Sequence, residues 1–284
     1  MSVGLVLEGG GMRGAYTSGV LDVFLQNGVE FPCVYGISAG ACNALSYISK
    51  QKNRNFDIFY QYVADKRYIS VENLQNSGSL FGFDFIFGEL AHELLPFDYD
   101  TFFQSETNLK VGATDLKTGK AVFFEKSEMD EAFTAVRASS SLPFISNIVI
   151  YQGYELLDGG CAMPIPLERS IFDGNEYNVV VLTRDRSYRK KNRPEFPRSV
   201  LRAKYGDYPN FINTMMNRSE IYNSELEVCR RQEKDGKAVV IRPSSPIVTG
   251  RYEKDPERLK SIYEMGVSDA MKQLPEVLEV LKKA

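Results

Sequence analysis

"VGLVLEGGGMRGA", residues 3–15, carries three signals in succession. Val3 to Leu7 is a short apolar run, which at this length suits a strand buried on both faces. Residues 12–28 open an amphipathic run in which Val20, Leu21, Phe24 and Leu25 recur at helical spacing and Gly28 stands as a C-cap. Between them lie Gly9, Gly10, Gly11 and Gly14, with no acid after Glu8. Backbone N–H groups at a strand–glycine–helix junction bind anions. The anion is a cofactor phosphate, a lipid phosphate, or a charge that exists only during a reaction.

The strand–helix alternation continues outward. "CVYGI" (33–37) reads as a second strand and "AGACNALSYIS" (39–49) as a small-residue helix. "LKVGAT" (109–114) and "AVFFE" (121–125) are strands around the turn "DLKTGK", and "IVIYQGYELL" (148–157) is a hairpin pivoting on Gln152–Gly153. "NVVVLT" (178–183) and "AVVIRP" (238–243) are late core strands, while helical patterns fill 209–233 and 256–283. Strands separated by helices predict an α/β fold, a three-layer α/β/α sandwich on a mostly parallel sheet.

Composition narrows the function classes. With 284 residues, 43% hydrophobic and 25% charged, the chain reads as an ordinary globular protein. A formal net charge of −3 gives no electrostatic footprint for nucleic acid. No apolar run is long enough to span a membrane, and no basic segment precedes an apolar one at the start, so a cytoplasmic location is expected. Cys33, Cys42, Cys161 and Cys229 form no CxxC pair, and His92 is the sole histidine. Reduced thiols, no metal and no cofactor are therefore the expectation.

Two stretches are unusual. Residues 184–204 hold nine Lys/Arg against Asp185 and Glu195. They read either as a solvated face or as a patch for phosphate headgroups and peripheral contact with anionic membrane. Residues 79–103 hold seven phenylalanines and fit strand alternation and helical spacing alike. They read either as a core segment or as an apolar wall for a hydrophobic substrate.

Gly9, Gly11 and Gly14 match the dinucleotide fingerprint GxGxxG, but that reading needs an acid at the end of the second strand. That strand instead ends in "GISAG", residues 36–40. In GxSxG a nucleophile sits on a sharp strand-to-helix turn, and Gly36 and Gly40 let strand and helix pass closely around Ser38. A serine there is also a common helix N-cap. A nucleophile at one strand end and free amides at the neighbouring one are the two parts acyl transfer needs. A serine needs a base. His92 lies in the helical run "ELAHELL" with no histidine after it, so it reads as a surface or packing residue and a histidine triad is disfavoured. Asp158, after an apolar strand and before Gly159 and Gly160, is the carboxylate candidate, or else an Asp-Gly turn residue.

With "GGGMRG" (9–14), "GISAG" (36–40), "ASSSLPFI" (138–145) and "DGG" (158–160) in this order, the sequence resembles the patatin-like phospholipase family, closest to its bacterial single-domain members. The resemblance covers roughly residues 3–170, which it implies form the catalytic core, with 171–284 expected to complete the sheet and its helical cover. It implies Ser38 as nucleophile, Asp158 as base, an oxyanion hole on the amides of Gly10 and Gly11 with neighbours from Gly9 to Arg13, and a metal-free hydrolysis of lipid acyl esters. One departure is Met163, in "CAMPIP", where the family often carries an asparagine; it bears on the local support of Asp158. The leading expectation is a serine acyl hydrolase with a lipid or fatty-acyl ester as its substrate. The alternatives are a dinucleotide-binding protein, a transacylase using the same dyad, and a catalytically silent lipid binder.

Overall fold

The apolar run at 3–7 splits its side chains between two cores. β1 (Ser2–Leu7) sends Val3, Leu5 and Leu7 to one face and Val6 to the other. Such a strand must lie inside a sheet covered on both sides. In the computed structural model, which describes residues 2–283, β1 sits at the middle of an eight-stranded sheet, parallel to β2 (Cys33–Ile37) and β7 (Asn175–Val181). β3 (Asn108–Asp115) adds parallel to β2, and β8 (Ala238–Ile241) parallel to β7. β4 (Ala121–Glu125) and β6 (Tyr154–Asp158) run antiparallel to β3, and β5 (Val149–Tyr151) antiparallel to β6. The hairpin turn falls on Gln152 and Gly153, at φ 48° and 80°, as its sequence predicts.

Helices cover both faces. On the Leu5 side lie α1 (Gly14–Gln26), α2 (Ala39–Ile48) and, near the end of the chain, α10 (Pro256–Leu281). α3 (Arg54–Tyr62), α4 (Val71–Ser77), α5 (Tyr99–Gln104) and α6 (Thr134–Ser139) are shorter elements between β2 and β5. On the Val6 side lie residues of α7 (Leu167–Phe172) and α9 (Pro209–Lys234), with α8 (Arg198–Tyr205) packed beside α9. Residues 171–284 thus supply two strands of the same sheet and a long helix to each of its faces.

β3 changes partner partway along one edge. Residues 110–114 pair with β4 on one side. On the other, β2 covers residues 108–112, ending with Ile37 opposite Gly112. β6 takes over at once, arriving from the opposite direction with Asp158 opposite Ala113. Two strands therefore end head to head, and the residue after Ile37 is Ser38.

The helix predicted from residue 12 begins at Gly14 instead, because Gly11–Arg13 form a 3-10 turn with Gly11 at φ +56°. The phenylalanine-rich stretch is neither a strand nor a regular helix. Phe81 makes an isolated bridge to Ile69, and Phe85–Leu94 is a π-helix kinked at Gly88.

α1 and α10 cross in backbone contact. A Cβ at Gly19 would stand 2.2 Å from the Tyr263 carbonyl oxygen, and one at Gly266 would stand 2.2 Å from that of Tyr16. Alanine at an open helical position gains about 1 kcal/mol over glycine. Here the helices must separate, so Gly19→Ala and Gly266→Ala are each expected to destabilise the protein by about 1–3 kcal/mol in urea unfolding.

Candidate active site

Ser38 stands at φ 53°, ψ −120°, a backbone conformation costly for a residue with a side chain. Close packing enforces it. A Cβ on Gly36 would come within 2.6 Å of Ala41 Cα, and one on Gly40 within 2.5 Å of the Leu7 carbonyl. The Ser38 amide donates to Ser139 Oγ at 2.8 Å, and that hydroxyl donates to the Gly112 carbonyl at 2.6 Å. The turn is thus pinned to the residue at which β3 changes partner. Although Ser38 occupies the N-cap position of α2, its side chain makes no capping hydrogen bond. That leaves the hydroxyl uncommitted and answers the N-cap alternative.

Asp158 is buried, at 2% exposure. Its Oδ1 accepts the Gly160 amide at 2.7 Å, and Thr114 Oγ1 donates to its carbonyl at 2.9 Å. Its Oδ2 is buried with no hydrogen-bond partner. Burial raises the carboxyl pKa above the ordinary aspartate value. The neighbouring Ser38 hydroxyl, then Arg218, the Gly160 amide and Arg251, pull it back. The hydroxyl thus lies close enough to favour the carboxylate while falling outside hydrogen-bond geometry.

In the glycine loop, the Gly9 amide donates to the Pro164 carbonyl at 3.2 Å and the Arg13 amide to that of Gly10 at 3.3 Å. Both are spent, which corrects the expectation that they contribute to an oxyanion hole. The amides of Gly10 and Gly11 have no acceptor among the described residues. Below the loop, buried Glu8 accepts the Thr183 amide, the Thr183 hydroxyl at 3.1 Å and the Tyr222 hydroxyl at 2.9 Å. The Arg13 side chain is buried beside Thr183, and burial followed by repulsion from Arg184 lowers its pKa to about 10, so it stays cationic at neutral pH.

Two chambers meet at Ser38. The larger encloses about 910 Å³, open solvent at its mouth included, and is walled by Ile58, Phe59, Phe81, Phe83, Phe87 and Phe97. Phe87 and Phe97, which line this chamber, also belong to the core. The smaller, about 590 Å³, is polar and holds Asp158, Gly10 and Gly11 together with Arg13, Arg184 and Lys190. Gly11, Ser38 and Leu142 belong to both. The basic stretch likewise divides: Arg184 and Lys190 turn inward, while Arg186 is exposed and pairs with Glu233.

His92 is exposed, stacked on Tyr99 with ring centroids 5.4 Å apart, and takes no part. The four cysteines are unpaired, and among the described residues no group of His, Cys, Asp and Glu is placed to hold a metal ion. No described helix is long and apolar enough to cross a membrane.

Several supports escaped the sequence reading. Ser139 lies in the small-residue run 138–145 with nothing to mark it among its neighbours. Arg218 of α9 donates from Nε to the Gly160 carbonyl at 2.8 Å and pairs with Glu195, which also holds Arg251 at 2.9 Å. Glu225, two turns further along the same helix, accepts the Ile165 amide at 2.8 Å. α9 thus braces the turn after Asp158 from outside, at the segment where Met163 departs from the family pattern. The spacing of Arg218, Tyr222 and Glu225 along one helix face was the available signal.

A family model for patatin-like phospholipase matches residues 5–171, and a domain model of unknown function, DUF6363, matches residues 208–282. The uncharacterized protein YjjU of Escherichia coli (strain K12) is 28% identical over 186 residues, 64% of this chain and 52% of its own, so this chain spans about half of that relative. The uncharacterized protein R571 of Acanthamoeba polyphaga mimivirus is 23% identical over 96% of this chain and 94% of its own. The crystal structure of VipD from Legionella pneumophila superposes with a TM-score of 0.48 at 14% identity, over 96% of this chain and 67% of that one. With more than half of its residues matched, Ser38 and Asp158 among them, the chain belongs to the patatin-like phospholipase family.

Proposed function

We propose that this protein hydrolyses acyl esters of lipids through a Ser38–Asp158 dyad and an acyl-enzyme. One observation carries the reading: a buried, unpartnered carboxylate oxygen lies beside a serine hydroxyl that caps nothing, at the mouth of an apolar chamber.

Asp158 Oδ2 takes the Ser38 proton as Oγ attacks the ester carbonyl. The new C–O bond places a negative charge on the carbonyl oxygen, which the amides of Gly10 and Gly11 receive without reorganising. Collapse expels the alcohol, and Asp158 returns the proton to it. Water then enters, gives its proton to Asp158 and attacks the acyl-enzyme; Ser38 leaves with that proton. An ordinary aspartate, with a pKa of about 3.9, is a weak base toward serine. Burial of Asp158 makes its charged form costly and strengthens it as an acceptor.

Ser38 of the wild type is expected to label with a fluorophosphonate probe, and Ser38→Ala to lose both labelling and turnover, with a fall in kcat of about 10⁴-fold or more. A wild type that neither labels nor cleaves p-nitrophenyl esters of any chain length would sink the proposal.

The pH profile follows from the direction of the Asp158 shift. Since kcat/KM requires the carboxylate, it should rise through an acid limb lying above the ordinary aspartate range; a limb at or below about 3.9 contradicts the assignment.

Stability moves the other way. The folded-state pKa of Asp158 is raised, so the charge costs nothing below the unfolded pKa and its full amount above the folded one. Asp158→Asn should therefore be inactive yet more stable at pH 7–8. That gain should shrink as the pH falls toward about 4, as read by Tm across a pH series.

A further inference from the structure

The polar chamber holds far more positive charge than the dyad needs. Arg13, Arg184, Lys190, Arg218 and Arg251 all line it. Glu8 and Asp158 are its carboxylates, and Glu195 binds Arg218 and Arg251 from behind. With all three acids and Lys190 ionised, two positive charges remain, and one with Lys190 neutral. Arg13, Arg184 and Lys190 make no ion pair among the described residues. Arg184 instead lies over the Tyr188 ring at 4.4 Å, and Lys190 over the Tyr222 ring at 4.9 Å. Aromatic faces hold a cation in place without cancelling its charge.

The position of this charge fixes its use. An ester at Ser38 has two arms. The apolar chamber takes the acyl arm, so the alcohol arm enters the chamber that shares Gly11, Ser38 and Leu142 with it. We propose, resting on the hydrolase reading above, that the polar chamber is a subsite for a phosphate-monoester dianion on the leaving alcohol. Arg184, Lys190, Arg218 and Arg251, all beyond the residues matched by the patatin-like model, hold that dianion. The substrate class is then an acyl ester of a phosphorylated alcohol, of which lysophosphatidate is the simplest lipid.

Lys190 adds a proton linkage. Burial and then Arg218 lower its ammonium pKa to about 7, Arg251 adding to the shift while Glu195 and Glu8 oppose it. Around it stand Tyr188 on its own loop and, from α9, Tyr222 and Asn223, whose side chain bonds the Lys190 amide and carbonyl at 3.0 Å each. A bound dianion restores the lost charge, so binding takes up a proton near neutral pH and weakens as pH rises from 7 to 9.

The test compares kcat/KM for three substrates with one oleoyl chain in nonionic-detergent micelles: lysophosphatidate, lysophosphatidylcholine and monooleoylglycerol. Wild type should prefer lysophosphatidate over either by tenfold or more, with the preference falling between pH 7 and 9. Lys190→Met and Arg184→Met should each cut the lysophosphatidate-to-monooleoylglycerol ratio at least tenfold, a ratio that partial misfolding leaves untouched. Lys190→Arg should keep the preference and lose its pH dependence. Equal rates on all three substrates, or variants that lower all three alike, overturn the subsite while the hydrolase reading stands. Competition by inorganic phosphate without a preference for lysophosphatidate assigns the chamber to free phosphate and overturns the headgroup. If no ester is cleaved, the hydrolase reading fails and calorimetry with glycerol 3-phosphate decides the subsite alone: saturable binding lost in Lys190→Met supports it, and no binding overturns it.

Discussion

The site depends on one handover in the hydrogen-bond ladder. At Gly112 the edge of β3 loses β2 and at Ala113 it gains β6, which runs the other way. A strand end ordinarily leaves unpaired backbone groups; here each end is completed by the other's continuation. The consequence is chemical. Two chain segments far apart in sequence bring the residues at their carboxyl ends, Ser38 and Asp158, to one point on a shared edge. A Cβ at Gly159 would stand 2.1 Å from the Gly112 carbonyl, and Ser139 bonds that same carbonyl and the Ser38 amide. A single residue of β3 thus sets the separation of Ser38 and Asp158, and no long flexible side chain has to span it.

The second constraint is electrostatic. Each charged group near the serine is held by a partner that keeps it from collapsing onto another. Glu8 is satisfied by Thr183 and Tyr222 and does not neutralise the lining cations by a direct pair. Glu195 grips Arg218 and Arg251 from behind, and Arg218 in turn grips the Gly160 carbonyl. Asp158 keeps one oxygen bonded to the Gly160 amide and the other unpartnered. A buried polar atom without a partner costs stability, and such atoms concentrate where a reaction supplies the missing bond.

Much of this was legible in the sequence because it is local. The apolar run at residues 3–7, the strand-to-helix turn at 36–40 and the Gln152–Gly153 hairpin each follow from a few adjacent residues, and strands, helix and turn formed there as read. What escaped is non-local or ambiguous in period. The meeting of β2 and β6 is set by pairing to a third strand. Arg218 and Glu225 share one face of a long helix, a spacing that does not say which loop the face meets, and Arg251 lies in a loop. Residues 79–103 satisfy two periods at once, and the kink at Gly88 lets the chain follow neither. Gly9 and Arg13 carry the right motif, yet their amides are taken by Pro164 and Gly10, which no spacing rule reveals.

Arg251 gives the molecule a further property. Its backbone presses on Gly11, with its carbonyl oxygen 3.0 Å from where a Cβ would be, and its guanidinium returns to Glu195 near Asp158. Tyr222 and Arg218 similarly reach the two motif loops from α9. The family match ends at residue 171, yet Tyr222, Arg218 and Arg251, which bond or pack on those loops, come from the last third of the chain. A chain cut after residue 171 would therefore keep the matched segment and lose the bonds from Tyr222 to Glu8 and from Arg218 to Gly160, together with the backbone that packs on Gly11.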